Sequence, residues 1–356
     1  MKKFLTLAML AMLGAVSCNN KETVPAVGGG DLRIVFNTGD LTTKSDPAPS
    51  CGDGSAIYLS PSDEPDLVIL VADQTDGDII GWYPSANATL QDGPTTTSMA
   101  VSITGLGKGG DTERPVIVYA FANTEGLWAT EIGGTPKTLS ELKSTLATSA
   151  QVESLMFTPL AANTCPTLNG TGRLPLSARG TTTIAGNGNG EVSLQMIRCV
   201  AKVTAEFINN TGDDLDMYGF HNEFVGMCPS SGLVMAGSNP DTAGSVGNLV
   251  GDEARLHIDQ GDSQQRSWFV FPSEGPYTCD VSFWLDEDDY EANDTTSENY
   301  FSYSDLEVHD DHARDLAELK RNQHLHIVTR ISKGLTVSFS FQVMDWTEKT
   351  ENIIFH

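Results

Sequence analysis

The stretch Val200-Ala201-Lys202-Val203-Thr204-Ala205-Glu206-Phe207 decides the fold class. Val200, Lys202, Thr204 and Glu206 can face one way, and Ala201, Val203, Ala205 and Phe207 the other. A period of two is what a half-buried strand requires, because successive side chains of an extended chain point to opposite faces. Working outward, Leu67-Val68-Ile69-Leu70-Val71 and Val116-Ile117-Val118-Tyr119-Ala120-Phe121-Ala122 are unbroken apolar runs. Such runs fit strands buried on both faces. Trp268 to Phe271, Val281 to Leu285, His324 to Ile331 and Leu335 to Val343 complete the main set. Gly, Thr, Ser and Asn recur between them and supply turns. The clearest helix is short, Thr138 to Leu146, with Thr138 and Glu141 in a capping-box spacing and Leu139, Leu142 and Leu146 on one face. Many short strands and little helix predict an all-β chain built from β-sandwiches, with one or two short helices.

A chain of 356 residues predicts two domains. Pro175 to Gly190 reads as the break, since Gly186-Asn187-Gly188-Asn189-Gly190 turns freely and a new strand starts at Val192. The expected units are therefore 31–190 and 191–356. No internal repeat and no coiled coil is visible in the sequence.

The N-terminus carries a separate signal. Lys2 and Lys3 precede the apolar run Leu5 to Val16, and Ala15-Val16-Ser17-Cys18 has the small-residue ending of a bacterial lipobox. The run is too short to span a bilayer as a helix, which needs about 20 apolar residues. The expectation is a signal peptide over 1–17, a lipid on Cys18 and a polar tether over 18–30.

Twenty-one basic residues stand against 47 acidic ones, a net charge of −26. Such a surface repels nucleic acid and anionic lipid, so both are poor partners. Beyond Cys18 the cysteines are Cys51, Cys165, Cys199, Cys228 and Cys279. No CxxC pair occurs, and the spacings match no zinc site. Cys199 lies in an apolar stretch and reads as a small core residue.

Catalytic patterns are missing from the sequence. No G-x-S-x-G elbow is present, and Gly107-Lys108-Gly109-Gly110 reads as a turn and not a phosphate loop. His309 and His312 form an H-x-x-H pair, and His324 and His326 alternate along a strand. Both are read as polar residues of loops and strands, with no metal and no cofactor assigned. Asp286-Glu287-Asp288-Asp289 lacks the spacing of a calcium loop and reads as a solvated loop. Trp82, Tyr83 and Trp284 could line a glycan site, but sandwich aromatics read first as core. The chain is expected not to be an enzyme.

Four segments carry a family resemblance. The first is the lipobox and tether followed by Asp31-Leu32-Arg33-Ile34-Val35-Phe36-Asn37 and, after a short gap, Thr42-Thr43-Lys44-Ser45. The second is Tyr119-Ala120-Phe121-Ala122-Asn123. The third is Leu174-Pro175-Leu176-Ser177 leading to Val192 through Val203, including Arg198-Cys199-Val200-Ala201-Lys202-Val203. The fourth is Arg321-Asn322 before a strand, with Val343-Met344-Asp345-Trp346 near the end. In this order and spacing the chain resembles the fimbrillin family, the lipoprotein subunits of type V pili in anaerobic gut and oral bacteria.

The resemblance implies two transthyretin-like Greek-key sandwiches and a defined life history. The precursor reaches the outer membrane as a lipoprotein. An Arg- or Lys-specific protease removes the tether together with the first strand, 31–44. A C-terminal strand of another subunit then fills the groove, and the polymer serves adhesion and biofilm formation in the extracellular fimbrium. On this sequence the displaced side chains are Leu32, Ile34 and Phe36, and the donors are Ile353, Ile354 and Phe355. The cut is expected at Lys44–Ser45, in a polar, turn-rich segment, in preference to Arg33–Ile34 inside the strand. The implied partners are other pilus subunits, outer-membrane lipid in the precursor, and a host glycan or protein receptor. The alternatives are a tip or accessory adhesin, an anchor that keeps its lipid, or a glycan-binding surface lipoprotein. Leu335 to Val343 is the second candidate donor, expected instead to be a permanent strand.

Overall fold

The structure is a computed structural model and describes residues 30–37, 67–92, 98–122, 145–157, 160–161, 174–186, 188–235, 242–310, 314–334 and 336–345. The first half contains β1 (Leu32–Asn37), β2 (Leu67–Asp73), β3 (Ile79–Tyr83), β4 (Ala88–Asp92), β5 (Ser98–Ile103), β6 (Arg114–Ala122), α1 (Ser149–Glu153), β7 (Leu176–Ile184), β8 (Gly190–Gln195) and β9 (Ile197–Arg198). The second contains β10 (Ala201–Asn210), β11 (Leu215–Gly232), β12 (Thr242–Val250), β13 (Glu253–Ile258), β14 (Ser263–Val270), β15 (Ser273–Glu274) and β16 (Thr278–Trp284). It continues with α2 (Glu287–Glu291), β17 (Tyr300–Glu307), β18 (Glu318–Leu319), β19 (Gln323–Ser332) and β20 (Thr336–Asp345).

The chain is all-β and folds into sandwiches. In the first half a sheet ordered β4-β5-β1-β8 faces a sheet ordered β3-β2-β6-β7-β9. Apolar side chains from both sheets fill one core. The central strands of the second sheet are buried on both faces. β2 is buried at all seven positions, and β6 is buried from Val116 onward. The far face carries Val68, Leu70, Tyr119 and Phe121, which join Val152, Leu155 and Phe157 around α1 and Phe269 and Phe271 of the second half. The unbroken apolar runs of β2 and β6 thus have their physical reason: neither face meets water.

In the second half, β14-β10-β19-β20 packs against β12-β11-β16-β17, with β13 beside β11. Ala201, Val203, Ala205 and Phe207 point into this core, as the alternation of β10 requires. The two halves share a topological device that the sequence hides. In each, an opening strand (β1, β10) runs antiparallel to one neighbour (β5, β14) and parallel to the other (β8, β19).

One boundary differs from the sequence reading. The strand containing Val192 does not open the second unit. β8 lies in the first sandwich, parallel to β1, and β9 pairs with β7. The glycine-rich segment before it turns a corner between the two sheets of one sandwich. Val192 and Leu194 alternate inward and complete the first core, so burial, more than loop composition, sets the boundary. The second sandwich opens with β10.

Local capping also differs. The segment expected to be helical falls mostly outside the described residues, but α1 shows the same chemistry ten residues on. Thr148 Oγ1 accepts from the Gln151 backbone N–H at 3.4 Å, and Gln151 Oε1 accepts from the Thr148 N–H at 3.1 Å. Asp286 to Asp289, read as a loop, forms a helical turn. Asp286 caps α2 by accepting from the Asp289 N–H at 3.1 Å, and the acidic first turn suits the positive end of the helix.

Two of the segments that carried the resemblance meet at the joint between the halves. Arg198, 1% exposed, donates to Asn322 Oδ1 at 3.0 Å, and the Asn322 N–H donates to Val200 O at 2.9 Å. Arg321 donates to Ser177 Oγ at 3.1 Å and to the carbonyls of Val234 at 3.2 Å and Leu233 at 3.1 Å. Removing the guanidinium strands several buried acceptors, each a costly loss. Arg321→Ala is therefore expected to cost about 3 kcal/mol, seen as a lowered urea midpoint. Arg255→Ala, which removes an exposed ion pair to Asp216, is expected to leave the urea midpoint nearly unchanged.

Candidate functional site: the slot of the first strand

β1 is an interior strand. Leu32 to Asn37 pair with Ile103 to Ser98 of β5 on one side and with Gly190 to Gln195 of β8 on the other, six residues in register each way. Its composition dictates this placement. Leu32, Ile34 and Phe36 alternate with Arg33 and Val35, so one face is wholly apolar. All three are 0% exposed. Ile34 lies between Val101 and Val192, and Phe36 between Met99 and Leu194. β2 and β6 close the far side with Ile69, Val71, Val118 and Ala120.

The outward face is lightly held. Arg33 Nη1 donates to Glu191 Oε2 at 2.9 Å, in a pair whose side chains are 40% and 65% exposed. Such a pair sets register more than it adds stability. Neither the sequence pattern of Arg33 nor that of Glu191 pointed to this contact, since 158 residues separate them.

The start of the strand is pinned by backbone. The Gly30 carbonyl accepts from the N–H groups of Leu106 and Gly107 at 3.0 and 3.1 Å, and Asp31 O accepts from the Gly190 N–H at 2.8 Å. Gly30 has φ +73°, and a Cβ there would lie 2.4 Å from Gly107 Cα, so only glycine fits. The turn read at Gly107-Lys108-Gly109-Gly110 is thus part of the slot's rim. Lys108 Nζ meets Asp73 at 3.1 Å beside Arg114, also at 3.1 Å, at the buried end of β2. Burial opposes ionisation of the Asp73 carboxyl, yet the Thr75 N–H and hydroxyl and the Lys108 ammonium together hold it below its usual range.

Burying Leu32, Ile34 and Phe36 contributes about 1.5–3 kcal/mol each. Taking β1 away forfeits that and leaves facing rows of unpaired N–H and C=O groups on β5 and β8. Buried backbone groups need partners, and an open edge pairs readily with any extended chain. The sequence reading placed Leu32, Ile34 and Phe36 in such pockets, and the structure brings them together on one face. Cys18, Lys44, Ser45, Ile353, Ile354 and Phe355 lie outside the described residues. β20, the second candidate donor, pairs with β19 over ten residues at the edge of the second sandwich. Its inward residues Val337, Phe339, Phe341 and Val343 are only half-buried.

Other residues singled out in the sequence have structural partners. His324 Nε2 lies 2.9 Å from Thr204 Oγ1, while His326 Nε2 meets Glu206 at 3.0 Å, so the two stacked imidazoles serve different partners. Burial, aided by Lys202 and His326, pushes His324 down to about 3. The His326 imidazole beside it holds Glu206 at about 2. Asp289 accepts from Asn299 at 2.7 Å and from Ser297 at 2.5 Å, which occupies the acidic turn internally. Trp284 is buried against Tyr290 and Tyr300, with its Nε1–H donated to Asp294 O at 3.1 Å. Trp82 packs against the cluster between the halves, and Cys199 is a 0% exposed core residue.

Solved structures share this fold. The tip fimbrial protein Mfa3 of Porphyromonas gingivalis, with a C-terminal truncation, matches with a TM-score of 0.50 at 10% identity, covering 89% of this chain and 100% of its own. A candidate cell adhesion protein of Parabacteroides distasonis matches with a TM-score of 0.52 at 11% identity, covering 91% of this chain and 99% of its own. No protein-family model matches the chain, and no curated protein matches its sequence. At such identities the likeness is one of fold.

Proposed function

We propose that this chain is a fimbrillin-like subunit of a cell-surface pilus, without enzymatic activity. In this reading it is exported as an outer-membrane lipoprotein through Cys18 and polymerises in the extracellular fimbrium by strand exchange. A protease cuts after Lys44, the tether leaves with β1, and the slot accepts a C-terminal strand of another subunit, with Ile353, Ile354 and Phe355 as donors. The fibre serves adhesion, and a host glycan or protein is its receptor.

The observation that carries the reading is the position of β1: an interior strand, apolar on one face, belonging to the N-terminal segment that a single cut detaches. A strand that merely finished a sheet would sit at an edge. The fold shared with a tip fimbrial protein and a candidate adhesion protein supports the same class of role.

The test is the mass of the surface form and its state of assembly. A mature chain starting at Ser45, running as a ladder in mild denaturant, is expected. Lys44→Ala is expected to leave an unpolymerised, lipid-bearing precursor. Ladders from the Lys44→Ala chain would overturn the assigned cut, and a native chain that keeps lipidated Cys18 would mark an anchor or a glycan-binding surface protein.

A further inference from the structure

We propose that Glu307, His309 and Asp315 bind one divalent ion of the zinc class at the end of β17. The backbone assembles them. Glu307 and His309 are two apart on an extended chain and share a face. His309 forms an isolated antiparallel bridge with Asp315, which sets that carboxylate opposite the imidazole. The two described sides, 307–310 and 314–316, are held together. The Asp310 N–H donates to Arg314 O at 2.7 Å, the Leu316 N–H to Val308 O at 2.9 Å, and Val308 and Leu316 are buried beneath it. Arg314 in the same hairpin clasps Asp310 at 2.9 and 2.6 Å. His309 itself rests edge-on against Phe341, with ring centroids 6.1 Å apart.

One ligating atom from each of the three residues lies within 4.8 Å of the other two. Around a metal with bonds of about 2.0–2.2 Å, adjacent ligands fall within that spread. The contact inside the cluster is itself informative. His221 and His257 make true hydrogen bonds to Asp252 and Asp216, at 2.6 and 2.7 Å. His309 Nδ1 does not. It is closed off from solvent, lies 3.2 Å from Asp315 Oδ1, and has no hydrogen-bond partner. An imidazole nitrogen shut off from solvent, beside a carboxylate and without a hydrogen bond to it, is an arrangement that a shared cation completes.

The ligand set selects the ion. One imidazole and two carboxylates suit zinc and its neighbours, whereas calcium and magnesium take oxygen ligands. Three protein ligands leave an open position, and the net charge of −26 raises the local concentration of cations. The sequence reading found no metal spacing because Asp315 reaches the site across a hairpin.

The experiment is calorimetric titration of Zn²⁺ into the untagged full chain stripped with a chelator, alongside Ca²⁺. Saturable binding of a single Zn²⁺ is expected, with no competition from Ca²⁺ at equal concentration. Loss of a residue that only supports a ligand costs about 10–100-fold in affinity, so His309→Ala is expected to weaken binding at least that much. Glu307→Gln and Asp315→Asn keep shape, sit at exposed positions, and are expected to weaken it as well. They decide the matter if His309→Ala misfolds. His324→Ala is expected to bind as the parent does. Absence of saturable Zn²⁺ binding, or binding undiminished in Glu307→Gln and Asp315→Asn, would overturn the site.

Discussion

Ile34→Asp is expected to unfold the first sandwich. Ile34 is 0% exposed and lies between Val101 and Val192 at the centre of β1. The substitution forfeits about 1.5–3 kcal/mol of apolar burial. It also forces a carboxyl into a pocket lined by apolar side chains such as Val101 and Val192, which costs about 1–3 kcal/mol even when the group is neutral. A total of about 2.5–6 kcal/mol is a large part of the roughly 5–15 kcal/mol that a domain has to spare. Near-UV circular dichroism and urea melts of the full chain measure it. Val35→Asp, one residue on and facing outward at a half-buried site, is expected to cost less than about 1 kcal/mol. Equal effects at the two positions would mean that β1 does not plug a core.

Cutting the chain after Lys44 and stripping β1 from it is expected to destabilise the remaining chain by about 4.5–9 kcal/mol, the burial of three side chains. A synthetic Leu-Arg-Ile-Val-Phe-Asn peptide is expected to restore most of that. The peptide offers β5 and β8 their missing ladder partners and refills three pockets in one register, since a slip of one residue would turn its apolar face outward. The same peptide with Asp in place of Ile is expected to do nothing. Thermal melts with increasing peptide read the result. If the stripped chain melts like the intact one, or if both peptides act alike, the slot is no exchange site.

The strands that face two cores were legible because burial on both sides leaves no room for polar residues, as in Leu67 to Val71 and Val116 to Ala122. β10 was legible for the opposite reason: one core and one polar face give clean alternation. β11 escaped notice. Its 18 residues include Gly219 and Gly226, both at positive φ, and its register shifts repeatedly against β12 and β16. Each shift resets the period on which pattern reading depends. The domain boundary was misplaced because glycine-rich composition marks a turn without saying which sheet the chain rejoins. Within the site, Leu32, Ile34 and Phe36 were found through the family resemblance, and their alternation agrees with it. Glu191 and the rim at Gly30 and Gly107 were not found, because both depend on contacts far apart in sequence.

The double pairing of β1 bears on how a fibre would resist being pulled. Ladder bonds lie across the strand axis, so tension applied along that axis shears both rows at once. The same bonds at a single free margin, tugged sideways, would give way one after another like a zipper. A guest strand seated between β5 and β8 would therefore yield only when all its links fail together, and mechanical toughness would come from geometry with no covalent cross-link.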